Sequence, residues 1–257
     1  MLGFIVPIRL DKNQNHAYFL WLERALELGI QVILIFDGAG AISIKDKLDQ
    51  IKVKYPKLLV TDRVEVGNPG EARNKGLDLI QSDWIAFIDS DDFVHCDRYL
   101  DLLSSMQLSK KLVGVGNFIS TTYHSSEFSN VRSRRNSVYS RIKFPGLWRY
   151  IFSKDRIGSL EFRNSLGGED IAFLCDLNLK MSELHVSHEV IYHYNQNVQG
   201  QLTRTQDMYH QLSRLIDSMP PIFSTSKFGL TFSFFLRVQL RGQYIVMKIR
   251  NLGRSWW

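Results

Sequence analysis

Over residues 3–100, unbroken apolar runs alternate with amphipathic stretches. Gly3–Ile8 (GFIVPI), Gln31–Phe36 (QVILIF) and Trp84–Ile88 (WIAFI) are rich in branched and aromatic residues without period-two alternation, which predicts strands buried on both faces. Between the first two, Tyr18, Trp21, Leu22, Ala25 and Leu28 recur at helical spacing and predict a helix over 17–28, closed by Gly29. Ile44, Leu48, Ile51 and Tyr55 do the same for 43–56, and Leu58-Leu59-Val60 with Val64 marks a short strand region. Asn68-Pro69-Gly70-Glu71 carries helix-start chemistry: Asn68 at the cap, Pro69 at the first helical position, Glu71 placed to reach back.

Beyond residue 112 the periodicity loosens. Leu112–Gly116 reads as a strand, and 120–145 is polar and basic, predicting loops or a β excursion. Gly167-Gly168-Glu169-Asp170 precedes a helix with Ile171, Leu174, Leu177 and Met181 as its stripe. The tail from Lys227 mixes Phe228, Phe232, Phe234, Phe235, Trp256 and Trp257 with Arg237, Arg241, Lys248, Arg250 and Arg254. Strand–helix alternation with unbroken strands predicts a mostly parallel sheet with helices on both faces, an α/β nucleotide-binding architecture.

Composition narrows this reading. The 257 residues are 44% hydrophobic and 23% charged, which excludes disordered and fibrous classes. The 32 basic and 26 acidic residues leave +6, favouring an anionic partner: a phosphorylated ligand, a polyanion or an acidic membrane surface. Cys96 and Cys175 are too few for a disulfide framework and fit a reducing compartment. The opening residues lack a signal-peptide pattern, and no run reaches the roughly 18 apolar residues of a membrane-crossing helix. A cytoplasmic chain is expected, soluble or peripheral.

The strongest chemical signal is Asp89-Ser90-Asp91-Asp92 at the end of the third apolar run. In extended chain Asp89 and Asp91 project to one side, and two such carboxylates suit Mg²⁺ or Mn²⁺ shared with a diphosphate. Read alone, the same acids could cap a helix starting near Phe93, a role that suits Asp92. Asp37, ending another central strand, could accept from a nucleobase or ribose, or serve the turn before Gly38. Arg73, early in the Asn68-capped helix, could hold anionic groups or be a surface arginine. Glu169 and Asp170 could complement a helix dipole, or Asp170 could be a general base.

Other patterns fail. Gly114-Val115-Gly116 is an incomplete dinucleotide fingerprint, Gly70–Gly76 lacks the Lys-Ser/Thr pair of a phosphate loop, and His188-Glu189 reaches His193 at i+5. No Cys-x-x-Cys occurs, which excludes a thiolate zinc site.

Taken in order, these residues resemble the family 2 glycosyltransferases, sugar-nucleotide transferases of the GT-A fold. The resemblance runs through Phe4-Ile5-Val6-Pro7, Ile33–Gly38, Gly70-Glu71-Ala72-Arg73-Asn74-Lys75-Gly76-Leu77 and Asp83–Asp92. A weaker match covers 145–205: Trp148, Gly168-Glu169-Asp170-Ile171-Ala172-Phe173 and Tyr192-His193-Tyr194. The resemblance implies a Rossmann-like sheet of GT-A type, with a C-terminal helical, basic-aromatic extension. It implies Pro7, Asp37, Arg73, Asp89 and Arg204 at the nucleotide-sugar, with Asp37 on a base expected to be uracil. Arg204 lies where some members place a diphosphate-binding loop. It further implies Asp89 and Asp91 at a divalent cation, with Asp91 the direct ligand, and Asp170 as catalytic base; His193 falls where some members place a metal ligand, or is a packed histidine of an apolar stretch. The chain departs from the family pattern at Phe36-Asp37, where two acids are usual, and in the loop after Gly38 and at Ile8-Arg9-Leu10.

The expected reaction is an inverting transfer from a UDP-linked sugar to a saccharide or lipid-linked acceptor, in bacterial capsule, lipopolysaccharide or other envelope polysaccharide synthesis. Residues 1–112 form the nucleotide-sugar half, 113–210 the acceptor-binding and catalytic half, and 211–257 the extension. The tail fits the inner face of the cytoplasmic membrane, or equally a core helix with a frayed end. Two other classes stay open. A nucleotidyltransferase would also use paired carboxylates, but its glycine-rich loop is missing from Arg9–Asn15. A non-catalytic basic module could bind a membrane or nucleic acid through 132–143 and the tail, although nucleic acid is not the expected partner.

Overall fold

The computed structural model describes residues 1–10, 19–40, 44–124, 127–133, 146–164 and 168–195. Its strands are β1 (Leu2–Arg9), β2 (Gln31–Asp37), β3 (Leu59–Val64), β4 (Trp84–Phe87), β5 (Phe93–Val94), β6 (Val113–His124), β7 (Glu127–Ser133), β8 (Tyr150–Ser153) and β9 (Leu184–Asn195). Its helices are α1 (Phe19–Glu27), α2 (Lys45–Lys54), α3 (Pro69–Leu79), α4 (Cys96–Leu108), α5 (Lys154–Ile157) and α6 (Glu169–Asp176).

One nine-stranded sheet runs β3-β2-β1-β4-β8-β6-β9-β5, with β7 paired to β6. β3, β2, β1 and β4 are parallel, as the unbroken apolar runs predict. Their alternating side chains feed two separate cores, which is why no polar position interrupts them. Phe4, Val6, Val32, Leu34 and Phe36 pack on one face with α1, α2 and α4 residues such as Trp21, Leu48 and Tyr99. Ile5, Ile33, Ile35 and Phe87 pack on the other with Ala72 of α3 and Phe173 of α6. Gly76 lets α3 lie against β1, because a Cβ there would overlap Ile5 Cγ2. The chain steps outward from β1 through β2 to β3 and returns to β4 on the other side of β1. That reversal opens a crevice at the carboxyl ends of β1 and β4, where open α/β sheets bind ligands.

The second half is a mixed sheet, and several expectations change there. β6 continues to His124 and pairs with β7, so the start of 120–145 is a β excursion rather than loops. β9, which no clear alternation announced, is a 12-residue strand parallel to β6 and antiparallel to β5. The helix expected near Phe93 begins at Cys96, because Phe93 and Val94 pair with β9 first. α6 ends at Asp176 and buries Ala172, Phe173, Leu174 and Cys175, leaving Ile171 and Met181 only half-buried. Arg204 and the extension 211–257 fall outside the described residues. Among those described, no helix is long and apolar enough to cross a membrane.

Candidate active site

Asp37 closes β2, level with Arg9 of β1 and Val64 of β3. Its Oδ1 accepts from the backbone N–H groups of Val66 (2.9 Å) and Gly67 (3.0 Å), fixing the loop that leads into α3. Its Oδ2 is enclosed and has no hydrogen-bond partner among the described residues. The turn role and an open acceptor therefore coexist on one carboxylate. Pro7 sits half-buried in β1, opposite Ile35.

Beyond β4 the chain turns through Asp89–Asp92, with Asp92 N–H donating to Asp89 O at 3.3 Å. Asp92 does not cap a helix. It is buried, accepting from the Tyr192 hydroxyl at 2.6 Å and from Asn195 N–H at 2.7 Å, both at the end of β9. Burial, with Asp91 and Asp89 close by, pushes its carboxyl well above the ordinary range. The Tyr192 hydroxyl also accepts from Asp89 N–H at 3.2 Å, so β9 sets the shape of the acidic turn from behind. Trp148 stacks on Tyr192 with ring centroids 4.3 Å apart.

Arg73 is not a surface arginine. α3 is amphipathic the wrong way round for that, with Ala72, Arg73 and Gly76 on its buried side. Asn68 starts the helix as expected, its Oδ1 accepting from Gly70 N–H at 2.8 Å. The guanidinium then reaches both halves of the protein. Nη2 donates to Asp89 Oδ1 at 2.9 Å and Nη1 to Glu169 Oε1 at 2.8 Å. Burial works against its charge, but Asp89, Glu169 and Asp170 outweigh that and raise its pKa above the ordinary value.

Glu169 and Asp170 open α6, whose cap residue Gly168 has φ of 75°, a left-handed conformation that favours glycine. Asp170 Oδ1 accepts from Ile171 N–H at 2.8 Å. Burial, then the adjacent Glu169 carboxylate, push Asp170 up to about 7, with Arg73 opposing. A carboxyl titrating there can accept a proton from a bound hydroxyl near neutral pH.

His193 lies opposite Phe93 in the β5–β9 pairing, and its Nε2 is 2.7 Å from Nε2 of His95. Burial, then His95 and Arg98, push His193 down to about 4, so its ring is neutral at physiological pH. Among the described residues, no three His, Cys, Asp or Glu side chains form a metal cage. Asp89 and Asp91 can still provide one or two oxygen ligands, the number Mg²⁺ usually takes from protein when phosphates and water complete its shell. The residues thus fit a cation that arrives with a diphosphate rather than one the protein encloses.

Sequence reasoning quoted Glu169, Tyr192 and Asp92 but missed what they do. The available signal for Glu169 was the inward-facing Arg73, a buried cation that must find an acid.

The model of glycosyl transferase family 2 matches residues 21–163, and the chain belongs to that family. An uncharacterized glycosyltransferase of Haemophilus influenzae is 28% identical over 196 residues, covering 74% of this chain and 76% of the relative. A poly(ribitol-phosphate) beta-glucosyltransferase of Bacillus spizizenii is 25% identical over 169 residues, covering 63% of this chain but only 27% of the relative's length. Among solved structures, S. aureus TarS 1–349 in complex with UDP-GlcNAc superposes with a TM-score of 0.67 at 15% identity, over 95% of this chain and 71% of that one. At that identity the likeness is one of fold.

Proposed function

We propose that this glycosyltransferase moves a sugar, with inversion, from a UDP-linked donor to a hydroxyl of a saccharide or lipid-linked acceptor of the bacterial envelope. The observation that carries the reading is the Asp89–Arg73–Glu169 chain. It holds Asp170, a carboxyl raised to about 7, in fixed relation to the acidic turn at the topological switch point. The UDP-GlcNAc bound to the TarS neighbour supports the choice of nucleotide, and the Bacillus relative's substrate supports an envelope acceptor.

In this reading the base rests against the carboxyl end of β2, with Pro7 beside it and Asp37, whose unpartnered Oδ2 is enclosed until the base displaces its cover, as its acceptor. Arg204 would meet the diphosphate. Asp91, with Asp89, would hold a Mn²⁺ or Mg²⁺ ion, which when bound supplies positive charge to the diphosphate leaving group. His193 is the candidate nitrogen donor, provided its Nε2 leaves His95. Asp170 takes the proton of the acceptor hydroxyl as that oxygen attacks the anomeric carbon from the face opposite the leaving group. Residues after 112 would supply the acceptor side, although Trp148 itself is buried against Tyr192 and Tyr194. A site at the inner membrane surface rests on the tail's sequence alone.

The test is release of the leaving nucleotide, a diphosphate from UDP-, GDP- and dTDP-sugars and CMP from CMP-sugars, with Mn²⁺ or EDTA. It compares wild type, Asp91→Ala and Asp170→Asn. Release from one UDP-sugar, lost with EDTA and in both variants, is expected. Turnover of a different nucleotide class would overturn the donor, and turnover unaffected by EDTA the metal. If no donor turns over and no nucleotide raises Tm with Mn²⁺ present, the reading fails.

A further inference from the structure

Residues 158–164 precede α6 in the chain, and one side chain of α3, Asn74, holds this segment at both backbone polar groups of a single residue. Asn74 Nδ2 donates to Phe162 O at 2.9 Å, while Phe162 N–H donates to Asn74 Oδ1 at 2.7 Å. The carboxamide thus imitates a neighbouring β-strand, across 88 positions of chain. Only a group that both donates and accepts can do this, and the carboxamide does so from two separate atoms, Nδ2 and Oδ1.

What Asn74 grips is coupled to the catalytic helix. Phe162 stacks on Phe173 of α6 with centroids 4.1 Å apart and planes 5° from parallel, and meets Phe87 of β4 edge-on at 5.0 Å. Arg73 lies over the same ring at 5.5 Å while it holds Glu169. Phe162 is buried, so its ring and α6 form one packed unit. Residues 73 and 74 therefore take hold of that unit at two points, one ionic and one by backbone mimicry.

We propose that Asn74 is a positioning residue of the transfer reaction. It sets the seat of α6, and with it Asp170, against the donor half of the sheet. The inference rests on reading Asp170 as the base. Asn74 is part-buried, and its loss removes two hydrogen bonds while the aromatic packing of Phe162 should remain to hold the fold. The position of the base should not survive that loss, and a displacement of about 1 Å can lower a rate about 100-fold.

The experiment compares wild type, Asn74→Leu and Asn74→Asp in three measurements. These are UDP affinity by calorimetry, the rate of UDP release from the best UDP-sugar, and hydrogen exchange resolved by segment. Asn74→Leu should leave UDP affinity unchanged, lower the rate about 100-fold, and speed exchange in 168–177 while β1, β2 and β4 stay protected. Asn74→Asp keeps the acceptor for Phe162 N–H and sets a carboxylate against Phe162 O, so its rate should fall between the two. It also stands in if the leucine variant does not fold. An unchanged rate, UDP affinity falling in step with rate, or faster exchange throughout the sheet would overturn the proposal. If wild type turns over no donor and no nucleotide raises its Tm, the transferase reading fails, and unchanged exchange at 168–177 in both variants would still refute the clamp.

Discussion

Arg73 and Glu169 stand 96 residues apart in the chain, yet the arginine Nη1 and the glutamate Oε1 are 2.8 Å apart, with side chains 7% and 8% exposed. Neither charge could stay buried alone. Removing the cation by Arg73→Leu should therefore destabilise the fold by about 3–5 kcal/mol. The double variant Arg73→Leu/Glu169→Leu should recover much of that loss, as urea unfolding of the set would reveal. Additive losses would mean that the pair does not interact.

Asp170 must be ionised to accept a proton, and its carboxyl titrates at about 7. The rate, as kcat/KM, should rise through that pH and level off above it, standing at about one hundredth of the plateau at pH 5. Glu169→Gln removes a carboxylate that raises Asp170, so the limb should move to lower pH. A limb that stays in place would show that Glu169 does not tune the base.

Stability responds in the opposite sense. The folded chain keeps the Asp170 proton over a range where the unfolded chain has released it. This residue's contribution should therefore decline as pH rises from the ordinary carboxylate range toward 7. Asp170→Asn should flatten that part of the stability–pH curve while abolishing transfer.

Tyr192→Phe deletes the hydroxyl that donates to Asp92 and accepts from Asp89 N–H. Asp92 stays buried with one donor fewer, so a loss of about 1–3 kcal/mol is expected. The Asp92 carboxyl should titrate still higher, because the lost bond favoured its charged form. Carbon-13 NMR of the Asp carboxyl groups would follow it.

Gly76→Ala sets a methyl group against Ile5 Cγ2, where α3 crosses β1. The helix must shift, and a loss of about 1–3 kcal/mol is expected from overpacking. A paired Ile5→Ala change, which removes Cγ2, should make the double variant lose less than the two single changes summed. Thermal unfolding of the three variants measures both effects.

The parallel half of the protein was legible because each of its signals is local. β1, β2 and β4 are apolar runs whose meaning does not depend on a distant partner, and Asn68-Pro69 starts α3 by chemistry within two peptide units. The second half was obscure because its strands are written by their neighbours. β9 shows no clean alternation, since it pairs with β6 along its length through register shifts, and Tyr192 and His193 pair with β5 as well. Phe93 reads locally as the opening of a helix, yet it and Val94 pair with β9.

The same division runs through the site. The acids at 89, 91 and 170 and the arginine at 73 could be named from the sequence, because the residue types and the short motifs around them carry that chemistry. Their partners could not. The Arg73–Glu169 bond, the Asn74–Phe162 clasp, the Tyr192–Asp92 contact and the facing His95 and His193 each join positions 88 to 100 residues apart. Sequence alone determined which groups can accept protons, hold charge or start a helix, since those are properties of side chains and their immediate neighbours. Only the closing of the sheet decided which of them meet, because a buried charge takes its value from the water it loses and the partner it gains.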